Sequence, residues 1–274
     1  RGRLVLPVQP SDELAPAQAF IAMHWGPEYV TGGVNLLTSG ARCPQSQQPE
    51  LKHAAVRIEA AALPWRVVGA AWLPAERVLQ VREALRAQFG AFAFASCVPF
   101  GREPSGPLGL LFRAAAPAAA EPAMLERLER LLLPAPTGVL RYEDRRAGQR
   151  RAVHLEDGVL RGFVLAGDTA AHAWMLPLLH EGRDVSDIRR QMLAATPQPP
   201  RPLPAPARQV CNCLNVSEPA IVAALAQCTG SEDERLHAVQ ARLRCGTQCG
   251  SCLPALRALV RQTAATAAAT GALA

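Results

Sequence analysis

Lysine is almost absent from this chain of 274 residues: Lys52 stands alone among 29 basic side chains. Arginine and alanine dominate elsewhere, so a persisting lysine is a candidate for what arginine does less well, offering a compact point charge to a phosphate. No apolar run reaches the length of a membrane-spanning helix and the N-terminus does not read as a signal peptide, so no membrane partner is expected. The formal net charge is +6, yet the basic residues are scattered and no Lys/Arg run exceeds three. That pattern reads as a solvated surface, and no nucleic-acid partner is expected. A Gly-x-Gly-x-x-Gly phosphate loop is also missing, which leaves flavin or nicotinamide binding without support. The chain opens Arg1-Gly2-Arg3 without methionine, as expected of a segment of something longer.

What is present is thiol. Four of the eight cysteines fall into two tight pairs, Cys211-Asn212-Cys213 and Cys249-Gly250-Ser251-Cys252, with residues 214–248 between them. Thiolates ligate iron–sulfur clusters and zinc alike, and four complete either shell. Three features favour a cluster. Gly246 and Gly250 allow backbone amides to approach sulfur, Pro254 suggests a helix beginning just past Cys252 with its positive end toward an anionic centre, and a one-residue spacing is unusual for zinc. Clustered thiols with no secretory signal point to a cytoplasmic metal site, not disulfides.

The texts "VCNCLNVSEPAIVAAL" and "CGTQCGSCLPAL", between residues 208 and 261, resemble the small helical [2Fe–2S] domain of the bacterioferritin-associated ferredoxin type. The resemblance implies Cys211, Cys213, Cys249 and Cys252 as ligands. The gap between the pairs is longer than that family's, and Cys245 stands where a small residue is commoner, within reach of the same loop. Cys43 reads as a loop residue, and Cys97 and Cys228 as core thiols.

Residues 1–62 contain short apolar runs such as "RLVLPVQP" broken by Gly, Pro and polar residues, which predicts a barrel-like β domain with long loops. Those loops hold His24, Asn35, Thr38, Ser46, Gln47, Gln48 and Lys52 beside Trp25, Tyr29 and several glycines, a composition suited either to polar turns or to a phosphate-bearing ligand. "MHWGPEYVTGGVNLLTSG" followed by "CPQSQQPELKHAAV" is similar to the C-terminal pterin-dinucleotide-binding domain of molybdenum oxidoreductases, nitrate reductases above all. That resemblance implies a double-psi-type β-barrel over bis(molybdopterin guanine dinucleotide) molybdenum, with His24, Asn35, Thr38, Ser46, Gln48 and Lys52 as contacts. It also implies that the molybdenum-ligating cysteine and a [4Fe–4S] cluster lie far upstream.

Residues 63–195 read as an α/β region. Strand-like runs at "WRVVGAAWL", "AFAFASCVPF", "LGLLFR", "VLRYEDR", "RRAVHLED" and "VLRGFVLAGD" alternate with helical spacing from Pro74 to Gln88, in "EPAMLERLERLLL", in "TAAHAWMLPLLHEG" and in "VSDIRRQML". "DGVLRGFVLAGDTAAHAWMLPLL" resembles the small C-terminal domain of NAD-dependent flavin reductases, which implies a docking or interface role. His154, His172 and His180 are isolated and read as surface or satisfied histidines. Residues 196–208 are a proline-rich linker that favours a semi-stiff polyproline spacer. Three helices are then expected over 209–264, the second opened by a Ser231/Glu234 capping box, before a frayed tail over 265–274.

Taken together, the sequence predicts a multidomain α+β chain. The resemblances imply the C-terminal part of a cytoplasmic assimilatory nitrate reductase, relaying electrons from a donor protein (an NADH-dependent reductase, ferredoxin or flavodoxin) to nitrate through the remainder of the catalytic chain. Another molybdenum-pterin enzyme such as a formate dehydrogenase, or a non-catalytic zinc module, are the alternatives.

Overall fold

The alternating strands and the cysteine-bearing helices fold into separate units of a computed structural model. The larger unit comprises Arg1–Phe100 and Leu108–Arg201, and Pro202–Ala274 belong to the smaller. The structure describes residues 2–22, 25–50, 54–101, 108–134, 137–194, 196–202, 207–211, 214 and 216–271. His24, Lys52 and Cys213 lie outside that set.

The larger unit is built on β1 (Trp65–Leu73), α1 (Ala75–Arg86), β2 (Phe94–Phe100), β3 (Leu108–Ala116) and α2 (Pro122–Leu132). It continues with β4 (Val139–Asp144), β5 (Gln149–Glu156), β6 (Val159–Gly167) and α3 (His172–Glu181). The strands form one six-stranded sheet in the order β2-β3-β1-β6-β5-β4, antiparallel throughout. β1 is flanked by β3 and β6, so the α1 crossover from β1 to β2 skips one strand, a split β-α-β arrangement, whereas the α2 crossover carries the chain from β3 past three strands to β4 at the far edge. Strand β1 is buried on both faces. Its odd residues Val67, Ala71 and Leu73 join α1 and α2 in one core. The alternate residues Val68 and Ala70 point to the other face, the one that α3 covers, in keeping with the two-residue side-chain period. Trp72 fastens α3 by donating its indole N–H to the Leu179 carbonyl at 2.8 Å. Between β5 and β6, Asp157 (φ 50°) and Gly158 (φ 77°) make the tight hairpin turn that their sequence announces.

A buried ion network ties the β4–β5 edge to α2. Glu129, 4% exposed, meets Arg141 and also Arg150, the latter at 2.9 Å, while Arg150 lies 3.8 Å from Glu126 and 3.7 Å from Glu143.

The double-psi-type β-barrel expected over 1–62 is not formed among the described residues. Apart from a 3₁₀ turn at Val34–Leu36 and the isolated bridges Val30↔Ser96 and Arg42↔Pro49, the described residues of the stretch form no regular elements. Pro7, Pro10 and Pro16 lack the N–H that a ladder needs, and Val8, Phe20 and Ile58 stand exposed with nothing to bury them. Residues 29–31 instead close the open β2 edge. Thr31 N–H donates to Ala95 O at 2.9 Å and Cys97 N–H to Tyr29 O at 2.9 Å. Arg82 of α1 holds this segment from above, its guanidinium 4.6 Å from the Tyr29 ring centroid and hydrogen-bonded to Glu28 O at 3.1 Å.

Two other expectations change. "VSDIRRQML" gives two short 3₁₀ turns, Ser186–Ile188 and Gln191–Leu193, with Val185 N–H bonded to Gly158 O and Ser186 N–H to the Asp184 carboxylate. The start of the proline-rich linker is tied to the larger unit: Trp174 donates to Thr196 O at 3.2 Å and Arg201 pairs with Asp187 at 2.8 Å.

In the smaller unit, β7 (Gln209–Cys211) pairs with β8 (Val216–Ser217), followed by α4 (Glu218–Leu225), α5 (Glu232–Leu243) and α6 (Leu253–Gly271). The three helices enclose Ile221, Leu225, Leu236, Val239, Leu256 and Val260. The tail read as frayed from 265 continues α6 to Gly271, consistent with alanine being the best helix former. Arg235, 8% exposed, clamps α5 to α6 through Val260 O and the Thr263 hydroxyl. The predicted capping box forms in full, with Ser231 Oγ accepting from Glu234 N–H and the Glu234 carboxylate accepting from Ser231 N–H. Ser231→Ala is expected to cost about 1 kcal/mol, read as a lower denaturant midpoint for this unit.

Candidate metal centre

Short local rules place the thiols of the smaller unit. Strand β7 ends at Cys211, whose side chain is fully buried. Helix α5 ends at Leu243, Arg244 follows in the left-handed conformation (φ 55°), and the chain turns inward at Cys245, also fully buried. Gly246 (φ 80°) then reverses it, and a Cβ there would come within 2.8 Å of Leu253 Cδ2. Cys252 sits at the N-terminal end of α6, where its carbonyl accepts from Leu256 N–H at 2.9 Å, and it is 4% exposed. The positive end of the helix dipole therefore falls on this cysteine. Cys249 is exposed, its sulfur 3.2 Å from Ser251 Oγ.

The electrostatics are those of a closed thiol pocket. Burial pushes the Cys252 thiol up to about 11, reinforced by its hydrogen bond with Cys211 and by the proximity of Cys211 and Cys245. Unbalanced thiolates are penalised here, so the pocket suits sulfurs whose charge metal ions neutralise. Cys211 and Cys252 are thus brought together, Cys249 lies on the same loop facing out, and Cys213 falls outside the described residues. Among the described residues no three His, Cys, Asp or Glu side chains form a ready metal-binding group. The donor chemistry of two buried thiols beside a helix N-terminus fits an iron–sulfur cluster, with Cys213 and Cys249 to complete its shell.

Residues 209–262 match the family model of the BFD-like [2Fe–2S] binding domain. This stretch is a [2Fe–2S] binding domain. No curated protein and no solved structure matches the chain. Within the [2Fe–2S] domain, Cys228 stands apart, half-buried and hydrogen-bonded to Ala224 O at 3.2 Å.

The residues read as pterin contacts are arranged differently. Asn35 and Thr38 share one turn, the Thr38 hydroxyl donating to Asn35 O at 3.0 Å. Ser46 and Gln48 belong to another, in which Ser46 N–H points to Cys43 Sγ at 3.5 Å and Gln48 N–H to Ser46 Oγ at 3.4 Å. No hydrogen bond among the described residues joins the two turns. By themselves these four residues form no closed cradle for a dinucleotide, and His24 and Lys52 lie outside the described residues.

The same turn makes Cys43 distinctive. The Ser46 hydroxyl and the N–H groups of Ser46 and Gln45 hold its exposed thiol below the usual range, whereas burial pushes Cys97 up to about 12. A maleimide near neutral pH is expected to label Cys43 and to spare Cys97 until denaturant is added, as peptide mass spectrometry would read directly. Labelling of Cys97 in the native chain would contradict its placement.

Proposed function

We propose that this chain is the C-terminal part of a cytoplasmic assimilatory nitrate reductase, and that its [2Fe–2S] domain is the port through which electrons enter. The observation that carries the reading is the [2Fe–2S] binding domain at residues 209–262, following a proline-rich stretch. It is supported by the resemblance of "MHWGPEYVTGGVNLLTSG" and "CPQSQQPELKHAAV" to the pterin-dinucleotide domains of molybdenum nitrate reductases. When bound, a [2Fe–2S] cluster takes up and gives back one electron at a time. Cys211 and Cys252, buried in one core with Val216, Leu256 and Leu259, would hold the cluster together with Cys213 and Cys249. Because Cys249 is exposed, one side of the site faces outward, where an electron-donor protein can approach.

In this reading His24, Asn35, Thr38, Ser46, Gln48 and Lys52 supply one wall for the pterin dinucleotide, and the remainder of the catalytic chain supplies the others. The proline-rich stretch keeps the [2Fe–2S] domain at high effective concentration near that chain. The test is made on the full-length protein: molybdenum content, and turnover with nitrate against formate. Molybdenum with nitrate reduction supports the reading. Formate oxidation would replace it with the other molybdenum-pterin alternative, and a protein without molybdenum would refute it.

A further inference from the structure

Cys245 belongs to neither cysteine pair, yet it is as deeply buried as the ligands. Its exposure is 0%, against 0% for Cys211 and 4% for Cys252, and the three share one core cluster. Two backbone features place it there at some cost: Arg244 occupies the left-handed region that non-glycine residues avoid, and Gly246 turns the chain back beneath Leu253 and Leu256. The reward for that geometry lies in what the side chain touches. It packs in the same buried core as Cys211 and Cys252, so the extra sulfur lies inward with the ligand pair and not out on the loop.

The two cysteine pairs already provide four sulfurs, a complete shell for a [2Fe–2S] cluster. A cysteine left over from that shell offers a weak S–H donor. We propose that Cys245 is a positioning and tuning residue: its S–H donates to a ligating sulfur, of Cys211 or of Cys252, and raises the reduction potential of the cluster. The direction follows from charge. Reduction adds an electron to the cluster and its sulfurs, so a hydrogen bond to sulfur stabilises the reduced form more than the oxidised one. This inference rests on the [2Fe–2S] reading of residues 209–262.

The test is an anaerobic redox titration of the full 274-residue chain, followed by visible and EPR spectra, with iron analysis of every sample. Cys245→Ala and Cys245→Val remove the donor, and both are expected to keep their iron while the midpoint moves to lower potential. Cys245→Ser retains a donor and is expected to hold the midpoint at or above that of the unsubstituted chain. Loss of iron from all three variants, with their helical circular dichroism intact, would make Cys245 a ligand and overturn the proposal. An unchanged midpoint in a donor-less variant that keeps its iron would reduce Cys245 to packing and overturn it equally. Absence of iron from the unsubstituted chain is a separate outcome, which refutes the cluster and this proposal with it.

Discussion

Cys252→Ser is expected to strip the chain of its iron, from about two atoms to nearly none, and to unfold much of the smaller unit. Three roles converge on this residue. It is a buried member of the donor set, it opens α6, and its side chain packs in the core that α4, α5 and α6 share. A unit of this size buries too little apolar surface to be secure by its core alone, so metal binding contributes directly to its folding. Iron content, visible absorbance and far-UV circular dichroism measure the loss. Cys213→Ser is expected to behave alike. Cys228→Ser is the control, because that sulfur is engaged with the Ala224 carbonyl and should leave the iron in place. Equal loss of iron from Cys228→Ser would contradict the ligand assignment.

The second large effect lies in the other unit. Glu129→Ala is expected to cost about 3 kcal/mol, because removing one partner of a buried ion network leaves charge uncompensated. The two arginines it serves differ in what they can do next. Arg141 is 54% exposed at its side chain and can turn to water, which limits its share of the loss. Arg150 is only 15% exposed and keeps Glu126 and Glu143 at 3.8 and 3.7 Å, too far for strong hydrogen bonds. The loss therefore falls at the low end of the range for broken buried pairs, and urea denaturation read at Trp65 or Trp72 would report it. A change under 1 kcal/mol would mean that Arg150 finds a full replacement partner.

Strand and helix placement between residues 64 and 182 was legible because it rests on local signals: a near-continuous apolar run in "WRVVGAAWL", helical spacing at Val78, Val81 and Leu85, and a turn signal at Asp157-Gly158. The capping box and the cysteine pairs are equally local. What the sequence obscured depends on partners far along the chain. "VSDIRRQML" has helical spacing, yet it forms two short 3₁₀ turns, anchored at its start where Val185 N–H reaches back to Gly158 O. Residues 29–31 read as part of a barrel but find their hydrogen bonds on β2, more than sixty residues later. Nothing local singles out Glu129, and only the pairing of β4 with β5 gathers Arg141 and Arg150 around it. Cys245 is the instructive case within the site. Its position in the loop was visible, but its inward turn depends on Arg244 adopting a left-handed conformation that no propensity rule would assign to arginine.

Residues 209–262 form a [2Fe–2S] binding domain, for which electron relay is the proposed role. Metal and sulfide analysis of the chain purified without oxygen, with EPR before and after reduction, tests it most directly. About two irons and two sulfides per chain, visible colour, and a rhombic signal that appears only on reduction are expected. One zinc per chain with no colour and no signal would contradict it.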